Sequence, residues 1–231
     1  MTSPEPILLA WSSGKDSAWS LHVLRSDPGL RVVGLLTTLN PGPDRVAVHA
    51  VRRALLEAQA EAVGLPLWPV PIPSPCPNHV YEAAMNGAFS SARQQGIRGV
   101  AFGDLFLEDI RSYRERQMEG SGLRPLFPIW GRPTGALAGE MIDGGLQARL
   151  TCVNSRLLPG RFAGRAFDRS LLQELPADVD PCGERGEFHT FAWDGPMFRH
   201  PVPVEPGELV TRDGFVYADL LPAHRRDSPN P

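Results

Sequence analysis

The sequence predicts an α/β fold: a Rossmann-like parallel sheet with flanking helices, followed by a smaller α+β unit. Three observations predict it. Short apolar runs alternate with helical patterns through the first half, as βαβ units do. The first run, PILLAW (6–11), breaks into a Ser/Gly-rich loop that opens a helix. Beyond about residue 125 the alternation loosens into one helix, one strand, a short helix and a β-rich end. The boundary falls near residue 130, giving units of 1–130 and 131–222, with 223–231 a disordered Pro/Arg/Asp-rich tail.

Each element has its own warrant. PILLAW reads as a buried strand, and Asp16 to Arg25 as a helix carrying Ala18, Trp19, Leu21, Val23 and Leu24. RVVGLLTTL (31–39) is a second buried strand. HAVRRALLEAQAEAVG (49–64) is an amphipathic helix with Val51, Leu55, Ala58 and Ala62 on one face, stopped by Gly64 and Pro66. The prolines of LWPVPIP (67–73) make it an edge strand. HVYEAAMNGAFSSARQQG (79–96) is a helix closed by Gly96, and RGVAFGDL (98–105) a strand breaking at Gly103-Asp104. GALAGEMIDGG reads as a helix, QARLTCV as a strand and AFDRSLLQEL as a short helix. Residues 188–218 read as β-structure turning at Asp194-Gly195 and Asp213-Gly214.

Composition narrows the function. A net charge of −3 gives no whole-molecule attraction to DNA or to an anionic membrane. No run approaches the roughly 18 apolar residues of a membrane span, and MTSPEPILLAWSS lacks a basic, apolar leader. Cys76, Cys152 and Cys182 are odd in number and far apart, so neither a zinc site nor a disulfide framework is signalled. A cytoplasmic location is expected.

The opening loop carries the chemistry. Ser12-Ser13-Gly14-Lys15-Asp16-Ser17 lies between strand and helix, where small residues and first-turn N–H groups receive an anion. Lys15, the only lysine among 22 arginines, adds a point charge, and Ser12 and Ser17 add hydroxyls. The spacing excludes a Walker A loop, because Leu9 stands where its first Gly belongs and Asp16 follows Lys15. A plain polar turn capping a helix is the other reading of these six residues.

The hexamer resembles the Ser-Gly-Gly-x-Asp-Ser signature of the PP-loop, or N-type ATP pyrophosphatase, superfamily. Ser13 replaces its first Gly, a small departure if φ there is ordinary and a serious one if φ is positive. VDPCGERGEFHTFAWDGPMF (179–198) closely resembles the C-terminal hallmark of the diphthine–ammonia ligase family, also called the diphthamide synthase ATP-binding domain family. Arg185 stands where that family usually has Asn. Further likenesses run in order along about residues 6 to 200. They are His49 with QAEAVGLPL (59–67), VAFGDL with Arg111 downstream, GLRPLFPIWGR (122–132) and LAGEMIDGGLQA (137–148).

The resemblance implies an ATP-dependent ligase. ATP with Mg2+ adenylates a carboxylate, pyrophosphate leaves, and ammonia attacks to give an amide and AMP. In archaea and eukaryotes the acceptor is diphthine, a modified histidine of elongation factor 2; for a bacterial chain the likeness implies no acceptor. Other PP-loop adenylation chemistry and a non-catalytic ATP or AMP sensor remain as alternatives. The expected nucleotide contacts are Ser12, Ser13, Gly14, Lys15, Asp16, Ser17, Leu36, Thr37, Gly103 and Asp104, with Asp16 and Asp104 as the Mg2+ ligands. Lys15 is expected to act on the departing pyrophosphate. Glu184, Glu187 and His189 fit either ammonium capture with proton removal or hydrogen bonds that hold a loop. Arg111 and Arg132 fit an anion or the solvated surface, Cys182 a small buried thiol, and Trp11 and Trp19 the core.

Overall fold

A computed structural model describes residues 3–40, 45–46 and 51–223. His49, named for its family likeness, and the expected tail beyond residue 223 lie outside the described residues. The chain opens with β1 (Glu5–Ala10), whose Ile7, Leu8 and Leu9 are all fully buried. A strand with no polar face must be covered on both sides, and that condition selects a parallel sheet between helices.

The first sheet is built from β1, β2 (Leu30–Asn40), β4 (Leu67–Pro71), β5 (Gly99–Ala101) and β6 (Arg124–Leu126). They run parallel in the order β4-β2-β1-β5-β6, and β3 (Arg45–Val46) pairs antiparallel with the end of β2. Helices α1 (Lys15–Arg25), α2 (Arg53–Val63), α3 (Asn78–Gln94) and α4 (Glu108–Met118) follow strands of this sheet. Chain order reverses between β1 and β5, so the loops leaving those two strands open a crevice at their carboxyl ends. Those loops are 11–14 and 102–107.

The second sheet contains β7 (Gln147–Asn154), β8 (Phe188–Asp194), β9 (Val204–Arg212) and β10 (Phe215–Pro222), antiparallel in the order β8-β7-β10-β9. Asp213 and Gly214, at φ 53° and 82°, turn β9 into β10 as a tight hairpin requires. Asp194-Gly195 ends β8, but the chain then crosses the sheet before β9 forms at its far edge. Helices α5 (Thr134–Asp143) and α6 (Arg169–Glu174) complete this half.

Two departures from the sequence reading stand out. α2 begins at Arg53 rather than residue 49. α4 and β6 were not expected at all, because α4 (EDIRSYRERQM) buries only Met118 fully and shows no apolar stripe.

The halves are not separate bodies. A single apolar cluster runs from Ile7, Leu9, Leu21 and Leu56 in the first half to Leu137, Leu150, Phe162 and Phe191 in the second. Gln59 of α2, fully buried, ties the seam: its amide oxygen accepts from Trp11 Nε1 at 2.9 Å. Its amide nitrogen donates to the carbonyls of Ser13 at 3.0 Å and Ala192 at 2.6 Å. Removing that amide strands a buried indole N–H and weakens two carbonyls. Gln59→Leu is therefore expected to lower stability by about 2–4 kcal/mol in urea unfolding; an unchanged midpoint would show that the seam holds without it.

Candidate active site

The loop takes its shape from β1 below it and β8 beside it. Ser13 has φ 70°, the left-handed region, and is fully buried. The position where the superfamily signature has Gly thus does need positive φ, and Ser adopts it at a cost of about 1–2 kcal/mol. The compensation is visible: the Ser13 carbonyl accepts from Ala192 N–H at 2.9 Å as well as from Gln59. The Ser13 hydroxyl is buried with no hydrogen-bond partner among the described residues.

Gly14 is closely approached by β8. A Cβ there would lie 3.2 Å from the Thr190 carbonyl oxygen and 3.3 Å from Thr190 Oγ1. Lys15 N–H, in the first turn of α1, donates to Thr190 Oγ1 at 3.0 Å. Ser12 Oγ lies 3.2 Å from Ser17 Oγ, and Ser17 Oγ donates to the Gly14 carbonyl at 3.0 Å. Across the crevice, a Cβ on Gly103 would come within 3.1 Å of the Asp16 backbone, so the β5 loop also packs directly on the start of α1.

Together these residues wall a cavity of about 700 Å³. Ser12, Gly14, Lys15, Asp16, Ser17, Leu36, Thr37, Gly103, Asp104, Glu184 and His189 all line it. Ser13 and Glu187 do not. Ser13 shapes the loop from beneath. Glu187 is buried, and its two oxygens accept from the backbone N–H groups of Asp180 and Arg185 at 2.9 Å each. Of the two roles the sequence left open for it, Glu187 thus has the bonding of a residue that holds the loop.

Lys15 is 2% exposed. Its Nζ donates to Asp16 at 2.7 and 3.0 Å and to the Cys182 carbonyl, and it lies 5.5 Å from the Phe188 ring centre and 5.6 Å from that of Phe167. Burial works against its charge, yet Asp16 holds its pKa above the ordinary value. Burial pushes Asp16 up against the pull of Lys15. Asp104 is also raised by burial, with Arg114 opposing. Glu184 is pushed up to about 7, by burial first and then by Asp16 and Asp104; its Oε1 accepts from Leu105 N–H at 2.8 Å. His189 is lowered to about 4, by burial first and then by Lys15, and is neutral near pH 7.

Of the other residues named from sequence, Trp11 and Cys182 also border the cavity, whereas Arg111, Arg132, Arg185 and Trp19 do not. Arg111 stacks on Phe127 and Trp130 and pairs with Glu115, and Arg132 pairs with Glu140. Arg185 lies over Phe106. The Cys182 thiol is raised to about 12, chiefly by burial, and is no nucleophile. Trp11 and Trp19 are core residues, their indoles bonded to Gln59 and Glu140. Arg114 of α4, which sequence reasoning missed, lines the cavity. Its only signal was its place eleven residues after Gly103.

The residues fit a nucleotide and a hard cation unequally. Asp104 Oδ2 is buried without a hydrogen-bond partner, whereas Asp16 is engaged by Lys15. Among the described residues no cluster of three or more His, Cys, Asp or Glu could form a complete protein cage. One or two carboxylates beside a polyphosphate suit Mg2+, which keeps waters and phosphate oxygens as its other ligands.

The family model for the diphthamide synthase N-terminal domain matches residues 6–125, and that for the C-terminal domain matches residues 134–218. The chain belongs to this family. It is 27% identical over 248 residues to the diphthine–ammonia ligase of Bos taurus, covering 95% of this chain and 92% of the relative. Against the diphthine–ammonia ligase of Danio rerio it is 28% identical, covering 90% of each. Against that of Homo sapiens it is 26% identical, covering 90% of this chain and 86% of the relative. No helix among the described residues is long and apolar enough to cross a membrane.

Two measurements test this geometry. Ser13→Gly relieves the left-handed strain and removes an unpartnered buried hydroxyl, at an unfolded-state entropy cost of about 0.5–1 kcal/mol. A net gain of about 1 kcal/mol, or about 2–4 °C in Tm, is expected by calorimetry; a lower Tm would mean the hydroxyl has a partner. Glu184 holds its proton more tightly folded than unfolded. Its contribution to stability is therefore full below the usual 4.5 and is lost as pH rises through about 7. Glu184→Gln should gain Tm relative to wild type at pH 8 but not at pH 4, and a pH-independent difference would contradict the assignment.

Proposed function

We propose that this chain is an ATP-dependent ammonia ligase of the diphthine–ammonia ligase type, working in the cytoplasm and forming AMP and pyrophosphate as it converts a carboxylate to an amide. The observation that carries this reading is the convergence of the two halves on one cavity. The phosphate loop and the Cys182–Thr190 segment of the hallmark face each other across it. A nucleotide bound by the loop lies beside the groups suited to the second half-reaction.

In this reading ATP is a substrate. The acceptor carboxylate attacks the α-phosphorus, the bond to the β-phosphate oxygen breaks, and pyrophosphate departs toward the loop. Ser12, Gly14 and Ser17 receive its oxygens, and Lys15 follows its charge. Leu36 and Thr37, at the carboxyl end of β2, lie on the base side. Asp104, with Asp16, would hold Mg2+, which would neutralise charge on the phosphates. Ammonia then attacks the acyl carbon and AMP leaves. Ammonia arrives largely as ammonium, and Glu184, raised to about 7, is the group matched to take its proton near neutrality. His189, neutral and a weak base, serves as a hydrogen-bonding wall. The acceptor is a carboxylate such as the diphthine that the relatives' name denotes.

The test supplies α-labelled ATP, Mg2+ and an extract of the source organism, with and without ammonium. Chromatography resolves AMP from ADP. Ammonium-dependent AMP is expected from wild type, with Lys15→Ala losing turnover by a larger factor than ATP binding. Intact ATP binding with no AMP would favour a sensor instead.

A further inference from the structure

Arg114 is the one cavity-lining cation, besides Lys15, that carries a fixed charge among the described residues. Three carboxylates, Asp16, Asp104 and Glu184, line the same space, and the Lys15 ammonium is committed to Asp16 and the Cys182 carbonyl. A triphosphate entering here therefore meets more anionic than available cationic groups. The guanidinium of Arg114, ion-paired with Asp104 but not hydrogen-bonded to it, is the remaining cation that can redress that balance.

Its present bonding is incomplete. Nη1 donates to Tyr81 Oη at 3.1 Å, and the guanidinium lies over Phe102 with its carbon 4.9 Å from the ring centre. Nε stands 3.6 Å from Asp104 Oδ2, too far for a hydrogen bond. Both of those atoms are buried, and neither has a hydrogen-bond partner among the described residues. Two opposite charges are thus ion-paired without a hydrogen bond between them. Tyr81 and Phe102 support the group through contacts that do not involve Asp104.

We propose that Arg114 exchanges partners when nucleotide binds: its guanidinium leaves Asp104 for a phosphate oxygen of the triphosphate, and Asp104 is released toward the divalent cation. The inference rests on the nucleotide-binding reading above and adds to it a named phosphate contact and a competitor for that contact. A planar fork with an unmet donor suits a phosphate oxygen, and a charge-assisted bond of this kind is worth about 1.5–3 kcal/mol.

The test is calorimetric titration, without divalent cation, of α,β-methylene-ATP and of adenosine. The analogue cannot be cleaved between its α and β phosphates, so no acceptor is needed. Arg114→Met should weaken the analogue by about 10- to 100-fold and leave adenosine within about twofold. Arg114→Lys should fall between, since an ammonium keeps charge but not the fork. Asp104→Asn should tighten the analogue, and that gain should vanish in the Arg114→Met background. A gain that survives there would mean Asp104 merely repels phosphate, and the exchange would be overturned. Equal losses for analogue and adenosine would assign Arg114 a structural role, which also overturns it. Should Arg114→Met fail to fold by circular dichroism, Arg114→Lys and Asp104→Asn carry the test. If wild type binds neither ligand, the nucleotide-binding reading itself falls, an outcome distinct from binding that ignores Arg114.

Discussion

The site depends on a constraint at Ser13. Its left-handed backbone turns one carbonyl sideways into the second half of the molecule, where Ala192 N–H and the Gln59 amide both reach it. Two residues on, Lys15 N–H is held by Thr190 Oγ1. The phosphate loop is consequently not a self-supporting turn. It is clamped by β8, whose residues lie about 175 positions further along the chain. The rigid mount is provided by a strand, which positions groups more firmly than a loop could.

This clamp makes the second half part of the cavity's frame. The strand that fixes the loop is continuous with the segment bearing Glu184, held in turn by Glu187 and Asp180. Glu184 N–H donates to Asp180 Oδ2 at 2.9 Å. The loop and the Glu184 segment are therefore registered through a few hydrogen bonds rather than through a hinge. The enclosure that results raises Glu184 and lowers His189, two groups that would titrate the other way round in water. One segment thereby presents a proton acceptor near neutrality and a neutral imidazole side by side.

Much of this was legible in sequence because it is periodic or chemically specific. Apolar runs located β1, β2 and β7, and the loop hexamer and hallmark block named a little under half of the cavity wall. What was illegible has a physical reason in each case. α4 carries six charged residues in eleven and buries one residue fully, so neither helical periodicity nor apolar content announced it. With the helix unseen, Arg114 could not be distinguished from the other arginines, and Arg111 and Arg132 drew attention instead. Glu184 and Glu187 look interchangeable along the chain. Only the structure separates a carboxylate that bonds to two local N–H groups from one that faces the cavity.

The solitary lysine follows from the same enclosure. Its ammonium fits between Phe167 and Phe188 with Asp16 on one side and a single carbonyl on the other. A guanidinium brings five N–H donors in a rigid plane, and this dry pocket offers acceptors for only some of them, so the remainder would be buried unsatisfied. A compact ammonium with three rotatable donors meets the pocket's acceptors and retains a flexible stem. In the proposed reaction that stem would swing toward the cavity as anionic oxygen replaced Asp16 as its partner. The pocket therefore selects lysine by its resting place, and the flexibility useful to turnover comes with the same side chain.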